Sequence, residues 1–370
     1  MTYRQRLQAI LDGGVPDRVA WVPRLDIWYQ AHRASGTLPP ALRGLRLAEA
    51  EEWLGMGHSA RKAVVYHLTC VGAEERTRRE GSCLIHTFVT PRGEASCVWH
   101  HPAEAQQQGI AAILVEPYVR SARDYEVMQY VAEHLHFVPD YATYRVYDAE
   151  VGEKGYPLVV LGQSPIHLIM RHWLGYERFC YEMADAPGRV EALWEALEES
   201  YRAMWEVVAR SPACLVLHGV HFCAALAPPP LFRRYFVPYF QAFNERMHRA
   251  GIRVAFHADA DLTGLLELVL ECGFDVADCL ATHPLVRCTF EEARRSWGEC
   301  IVIWEGVPSV ILERSYDRVR FENYVLALLE QTTGRSHFIL GVSDNIMPGA
   351  EFERLVWIRD ILRTASPAAA

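Results

Sequence analysis

Six short apolar runs, each followed by a longer segment of helical periodicity, predict an α/β protein folded as a single (β/α)8 (TIM) barrel with an N-terminal elaboration. The runs are "PLVVLGQ" (157–163), "CLVLHGV" (214–220), "RVAFHAD" (253–259), "DVADCL" (275–280), "CIVIWEG" (300–306) and "HFILGVSD" (337–344). Repeated strand-then-helix units imply parallel strands joined by right-handed crossovers. Two further observations favour a barrel over an open doubly wound sheet. No GxGxxG turn follows any run, as a dinucleotide-binding sheet would need. Gln163, His218, His221, His257, Asp259, Asp278, Glu305 and Asp344 also fall at or just after the C-terminal ends of different strands, positions that converge on one mouth in a barrel.

Taken along the chain, "DRVAWVPRLDIWYQ" (17–30) reads as a first strand and loop and residues 45–57 as a helix. "SCLIHTFVTPRGEASCVWHH" (82–101) reads as an antiparallel hairpin turning at Pro91-Arg92-Gly93, and "AAILVEPYV" (111–119) as a further strand. Over 187–210, Val190, Leu193, Trp194, Leu197, Met204, Trp205 and Val208 form a helical stripe after an Asp185 cap and Pro187. In 253–273 a buried strand passes into an amphipathic helix: Leu262, Leu265, Leu266, Val269 and Leu270 are helically spaced, Gly273 stops them, and Asp261 is read as the cap. A single cap leaves the triplet His257, Asp259 and Asp261 unexplained. With no Gly/Ser linker and no internal repeat, 1–370 reads as one domain, irregular over 1–155 and regular over 156–365.

Composition narrows the function. A net charge of −9 without a basic run argues against nucleic acid, whose phosphates require clustered Lys and Arg. Residues 1–13 have no apolar signal region and no apolar run approaches the roughly 18 residues of a membrane span, so no membrane association is expected. The ten cysteines include no CxxC pair, which reads as reduced thiols in a cytoplasmic protein. The expected ligand is a small molecule.

The chain resembles the uroporphyrinogen decarboxylase superfamily, which also contains corrinoid-dependent methyltransferases. The resemblance rests on "PDRVAWVP" (16–23), "GQSPIHLIMRHWLGYERFCYEMADAP" (162–187), "PPPLFRRYFVPYFQAF" (228–243), "FHADADLTGLLELVLECGFDV" (256–276) and "GVSDNIMPGAEFERL" (341–355), five blocks in the family order. It implies a (β/α)8 barrel with its site at the C-terminal mouth. The decarboxylases of the family resemble one another in a Tyr after the Ser-Pro turn, where this chain has Arg171, and in an Arg-rich loop, where it has "RLDIWYQAHRASG" with Arg24 and Arg33. The thiol methyltransferases carry zinc on a His-x-Cys pair and a distant Cys. Here His257-Ala258-Asp259 occupies the pair and Asp344 the distant position, so the resemblance implies a three-ligand N/O site for a divalent metal, zinc first, with an open position. Cys279 and Cys223, the nearest thiols, are not assigned as ligands, and replacing either by Ser is expected to leave metal content intact.

The reading that follows is a metal-dependent methyltransferase that moves a methyl group from a small methylated donor, an O-methyl compound above others, to a corrinoid. The chain has no DxHxxG cobalamin-binding signature, so the corrinoid must come on a separate protein. Glu305 or His221 would give a proton to the departing oxygen, and Gln163, His218, Arg24 and Arg171 would bind substrate. The alternative is a metal-free decarboxylase of a polycarboxylate or tetrapyrrole, with Arg24, Arg33 and Arg171 holding acid groups. A non-catalytic binder is a third reading, against which the clustered ionisable groups argue. The sequence sets no oligomeric state, and a homodimer stays open.

Overall fold

A computed structural model describes residues 1–107 and 109–364. The chain divides into two compact units, one formed by Met1–Ala63, Arg145–Gly162 and Ala213–Ala370, the other by Val64–Tyr144 and Gln163–Pro212.

Six parallel strands build the first unit: β1 (Val159–Gly162), β2 (Leu215–Val220), β3 (Arg253–His257), β4 (Val276–Leu280), β5 (Val302–Pro308) and β6 (Phe338–Ser343), paired in sequence order. From β2 to β6 almost every residue is buried. Parallel strands covered on both faces need apolar side chains at successive positions, which is why they stand out as unbroken runs in the sequence. Helices Val237–Arg249, Leu266–Glu271, Phe290–Trp297, Arg318–Thr332 and Phe352–Thr364 follow β2 to β6 in turn.

The eight-stranded expectation is met in part. Among the described residues the parallel sheet has six strands, and short bridged segments flank its two edges instead of a seventh and eighth strand. Trp21 bridges Leu340 of β6, and Ala63 bridges Val159 of β1. The Gly57 N–H donates to the Trp21 carbonyl at 2.8 Å, tying these segments together. Each is kept short by its own backbone. On the side facing Gly57, Pro23 has no N–H to continue the pairing beyond Trp21, and Ala60 takes a left-handed φ of 48°.

Helix Tyr3–Leu11 opens with a capping box between Thr2 and Gln5 and buries Leu7, Ile10 and Leu11 in one cluster with Leu217, Ala255, Val302 and Ile339. Nine residues are too few to be helical alone. Burial of three aliphatic side chains, at about 1.5–3 kcal/mol each, therefore holds this helix more than propensity does.

The second unit contains a four-stranded antiparallel sheet of Glu74–Glu80, Cys83–Thr90, Gly93–His100 and Ile113–Glu116, a two-stranded pair of Tyr66–Cys70 with Leu135–Pro139, and the helix Pro187–Ala209. The hairpin lies where the alternating pattern put it, with Thr90 opposite Gly93. Three local expectations are corrected. Asp26–Ala34 is a helix rather than a loop, with Asp26 in its first turn and Trp28 and Tyr29 buried. Ala186, not Asp185, caps the helix that starts at Pro187. Asp261 is not a cap either, because its carboxylate accepts from the Thr263 N–H (3.1 Å) and hydroxyl (2.7 Å) and pairs with Arg287. That local turn delays the helix to Leu266.

Gly219 sets the route of the chain from β2 toward the site. Its φ is +94°, and a Cβ there would lie 2.6 Å from Phe222 Cζ and 2.8 Å from Phe240 Cζ, within a cluster where Phe222 also packs on Phe232 and Phe256 at ring distances of 5.1 and 5.6 Å. Gly219→Ala is expected to cost roughly 2–4 kcal/mol, combining a left-handed backbone with overpacking. Urea unfolding measures this, and an unchanged midpoint would show that the aromatic cluster yields freely.

Candidate active site

The C-terminal ends of β3, β4, β5 and β6 bring their polar side chains together. At the centre is Asp278, fully buried on β4. Arg61 holds it with both terminal nitrogens, Nη1 donating to Oδ2 at 2.8 Å and Nη2 to Oδ1. Asp278 Oδ2 also accepts from His257 Nδ1 at 2.8 Å. A carboxylate in that position costs several kcal/mol of desolvation unless it is paired and hydrogen-bonded. Burial pushes its acidity toward the neutral form, but the Arg61 charge and His257 outweigh this and hold the carboxyl well below the usual range.

With Nδ1 fixed on Asp278, His257 turns Nε2 toward Asp344 Oδ1 at 3.3 Å and Asp259 Oδ2 at 3.6 Å. Burial favours the neutral ring, yet the bonds to Asp278 and Asp344 and the Asp259 charge win and raise its pKa to about 10. Asp344 Oδ1 also accepts from Arg24 Nη1 at 2.6 Å, and its Oδ2 from Asn345 Nδ2 at 2.7 Å. Its acidity is strongly increased against the cost of burial by His257 and Arg24. Asp259 is engaged by His221 Nδ1 at 2.6 Å, and the His221 side chain is 34% exposed.

Cys279 follows Asp278 directly. Its Sγ lies 3.5 Å from Arg61 Nη2, 3.8 Å from Arg24 Nη1 and 3.5 Å from Glu305 Oε1. Glu305 is wholly buried, and burial together with the Asp278 charge pushes its carboxyl well above the usual carboxylate range. Three non-glycine residues here, His221 (φ 53°), Cys279 (58°) and Glu305 (110°), adopt left-handed or wider positive φ, a conformation that costs about 1–3 kcal/mol each and is concentrated at functional sites.

The assigned site residues thus fall into three groups. His257, Asp259, Asp344, His221, Arg24 and Glu305 all enter this network. His218 lies just before it with both ring nitrogens engaged: Nδ1–H donates to the Gly162 carbonyl (3.1 Å), and Nε2 accepts from the Tyr239 hydroxyl (2.8 Å). Gln163 and Arg171 belong to the second unit, the first buried and the second half-buried in the π-helical turn Ile169–Trp173.

Two residues at the centre have no assigned role in the sequence reading, Arg61 and Asp278. For Asp278 a signal existed, since an acid inside the apolar run "DVADCLA" needs a buried partner. Arg61 lies in an irregular segment with no pattern to mark it.

The donor set fits a divalent ion. A ring nitrogen of His257, Cys279 Sγ and an Asp344 oxygen all lie within 4.8 Å of one another. Asp278 behind Nδ1 fixes the imidazole as an outer carboxylate does at many metal sites.

Residues 107–364 match the family described as Uroporphyrinogen decarboxylase (URO-D), and the chain belongs to that family. Among solved structures it is similar to a methyltransferase from Methanosarcina mazei, with a TM-score of 0.56 at 14% identity, covering 98% of this chain and 99% of that one. That likeness shows a shared fold over the whole length. A PTE-like lactonase variant from Deinococcus radiodurans has a TM-score of 0.36 at 13% identity over 61% of this chain and 71% of its own. No curated protein matches. No helix among the described residues is long and apolar enough to cross a membrane.

Burial lowers the His218 pKa from 6.5 to about 3, so the folded ring is neutral while an unfolded one would charge. The stabilisation is therefore complete above pH 6.5 and is lost as pH falls toward 3, at up to about 1.4 kcal/mol per pH unit. His218→Gln, which cannot take up the proton, should show a shallower fall in urea midpoint between pH 6 and 4 than wild type. Parallel curves would place the acid sensitivity elsewhere.

Proposed function

We propose that this protein is a metal-dependent methyltransferase, transferring a methyl group from a small O-methylated donor to a corrinoid carried by a separate protein in the cytoplasm. The observation that carries the reading is His257 set between Asp278 and Asp344, one ring nitrogen anchored and the other facing carboxylate donors. The fold shared with the Methanosarcina mazei methyltransferase supports it.

His257 and Asp344 would hold a divalent ion, zinc first, which supplies a Lewis acid at the donor oxygen. Arg24 neutralises Asp344 from the other side and offers its remaining donors to a polar group on the substrate. A reduced, Co(I) corrinoid on the partner protein would supply the electron pair that takes up the methyl carbon, and the pair of the broken carbon–oxygen bond would stay on oxygen, which then needs a proton. His221, oriented by Asp259 and open to solvent, would give that oxygen a proton. Glu305 has no exposed atom, so direct protonation falls to His221, and Glu305 serves as a hydrogen-bonding neighbour of Cys279.

The second reading, a metal-free decarboxylase, is favoured by the two guanidiniums, Arg24 and Arg61, at the strand ends. One assay separates the two. Loss of the cob(I)alamin spectrum is followed with methoxyarenes and aliphatic methyl ethers, with and without chelator, beside carbon dioxide release from polycarboxylates. Methyl transfer that the chelator abolishes is expected. Chelator-insensitive carbon dioxide release without methyl transfer would establish the other reading. His221→Phe should slow aliphatic ethers by about 100-fold and activated phenyl ethers by much less, because a better leaving group needs the proton less. Equal loss for every donor would remove His221 from proton transfer.

A further inference from the structure

The third protein ligand of the proposed ion is the open question, and the sequence reading assigns it to Asp259. We propose instead that Cys279, as a thiolate, completes the donor set with His257 and Asp344, while Asp259 serves to orient His221. This inference rests on the metal-dependent reading above and specifies its site.

The backbone argues first. On a regular strand, successive side chains point to opposite faces, so Asp278 and Cys279 should diverge. They do not: both reach the same Arg61 guanidinium. Two features of β4 redirect the thiol. The pairing of β4 with β5 slips between Ala277 and Leu280, and Cys279 itself takes a φ of 58°. Irregularities of this kind re-aim a side chain, and a left-handed φ is strained for any residue with a Cβ. A cysteine present only for packing would not need that conformation.

The surroundings of the sulfur argue second. Arg61 Nη2 and Arg24 Nη1 face it as donors at 3.5 and 3.8 Å, while Glu305 Oε1 and the Asp344 carbonyl lie at 3.5 and 3.6 Å. Burial and the Asp278 charge push the free thiol's pKa well up, so the sulfur would become anionic only in exchange for a bound cation, with the two guanidiniums as its remaining donors. Glu305, aimed at this point and completely buried, has no hydrogen-bond partner for Oε2 among the described residues. The polar arrangement around Cys279 is therefore unfinished within the protein. It is also closed to solvent, which removes the ordinary fates of a reactive thiol.

Asp259 argues third. It is 3.6 Å from His257 Nε2 but 2.6 Å from His221 Nδ1, and the compact group of ligand atoms contains Cys279 rather than Asp259. One nitrogen, one oxygen and one sulfur make a site suited to Zn²⁺ or Co²⁺ over Mg²⁺ or Mn²⁺. The expectation that Cys279→Ser keeps its metal is thereby reversed.

The test uses the full chain stripped of metal and titrated with Co²⁺ alone. Wild type, Cys223→Ser and Asp259→Asn should each develop a thiolate-to-cobalt charge-transfer band in the near ultraviolet. Cys279→Ser should lack the band and bind Co²⁺ at least about 100-fold more weakly, since even the loss of an outer-shell partner costs 10–100-fold. If Cys279→Ser fails to fold, the wild-type and Asp259→Asn spectra still decide. A band in Cys279→Ser, its loss in Asp259→Asn, or tight Co²⁺ binding by wild type without a band would overturn the assignment of Cys279 alone. No Co²⁺ uptake by wild type would overturn the metal-dependent reading with it.

Discussion

The site depends on one buried carboxylate. Asp278 has no solvent, and its charge is tolerated because Arg61 grips both oxygens while His257 donates to one. Removing a partner from such a group typically costs 3–5 kcal/mol, because the remaining charge is stranded. The same contact fixes the rotation of the His257 ring, and that rotation decides what Nε2 can meet. Nε2 faces Asp344 and Asp259 because Nδ1 is held on Asp278.

The fold provides the convergence. Six strands paired in sequence order place β3, β4, β5 and β6 side by side, so His257, Asp278, Cys279, Glu305 and Asp344 need not be near one another in the chain. The two arginines come from outside the sheet, on the segments that bridge its edges or follow directly from them. Arg24 lies just beyond Trp21 and Val22, and Arg61 lies between Ala60 and Ala63. Placed there, both cations reach the ends of central strands without interrupting a ladder.

The regular part of this arrangement was legible in the sequence. Buried parallel strands leave continuous apolar runs, and the polar residues that end them mark the site, so His257, Asp259, Asp344, His221 and Glu305 could be chosen without coordinates. Arg61 could not, because a single cation in an irregular segment has no periodicity, and its partner is 217 residues away. Cys279 was passed over for a different reason. Strand alternation sends it away from Asp278, and only a slipped pairing and a left-handed φ bring it back. His218 shows the converse, a strand-end histidine whose ring nitrogens serve the interior. Eight parallel strands were read where the parallel sheet has six among the described residues, because single bridges and strands look alike in a short apolar run such as "VAWV".

Arg24, Arg61 and the His257 ring, with Asp278, Asp344 and Asp259, make a set of charges that is balanced without an ion and can accept one if the Nε2 proton leaves. The most direct test is diffraction from crystals grown with zinc, with data collected at the zinc absorption edge. An anomalous peak within bonding distance of both His257 Nε2 and an Asp344 oxygen, with Arg61 still on Asp278, is the expected result. A peak at other residues, or none at saturating zinc with Arg24 still paired to Asp344, would contradict the account.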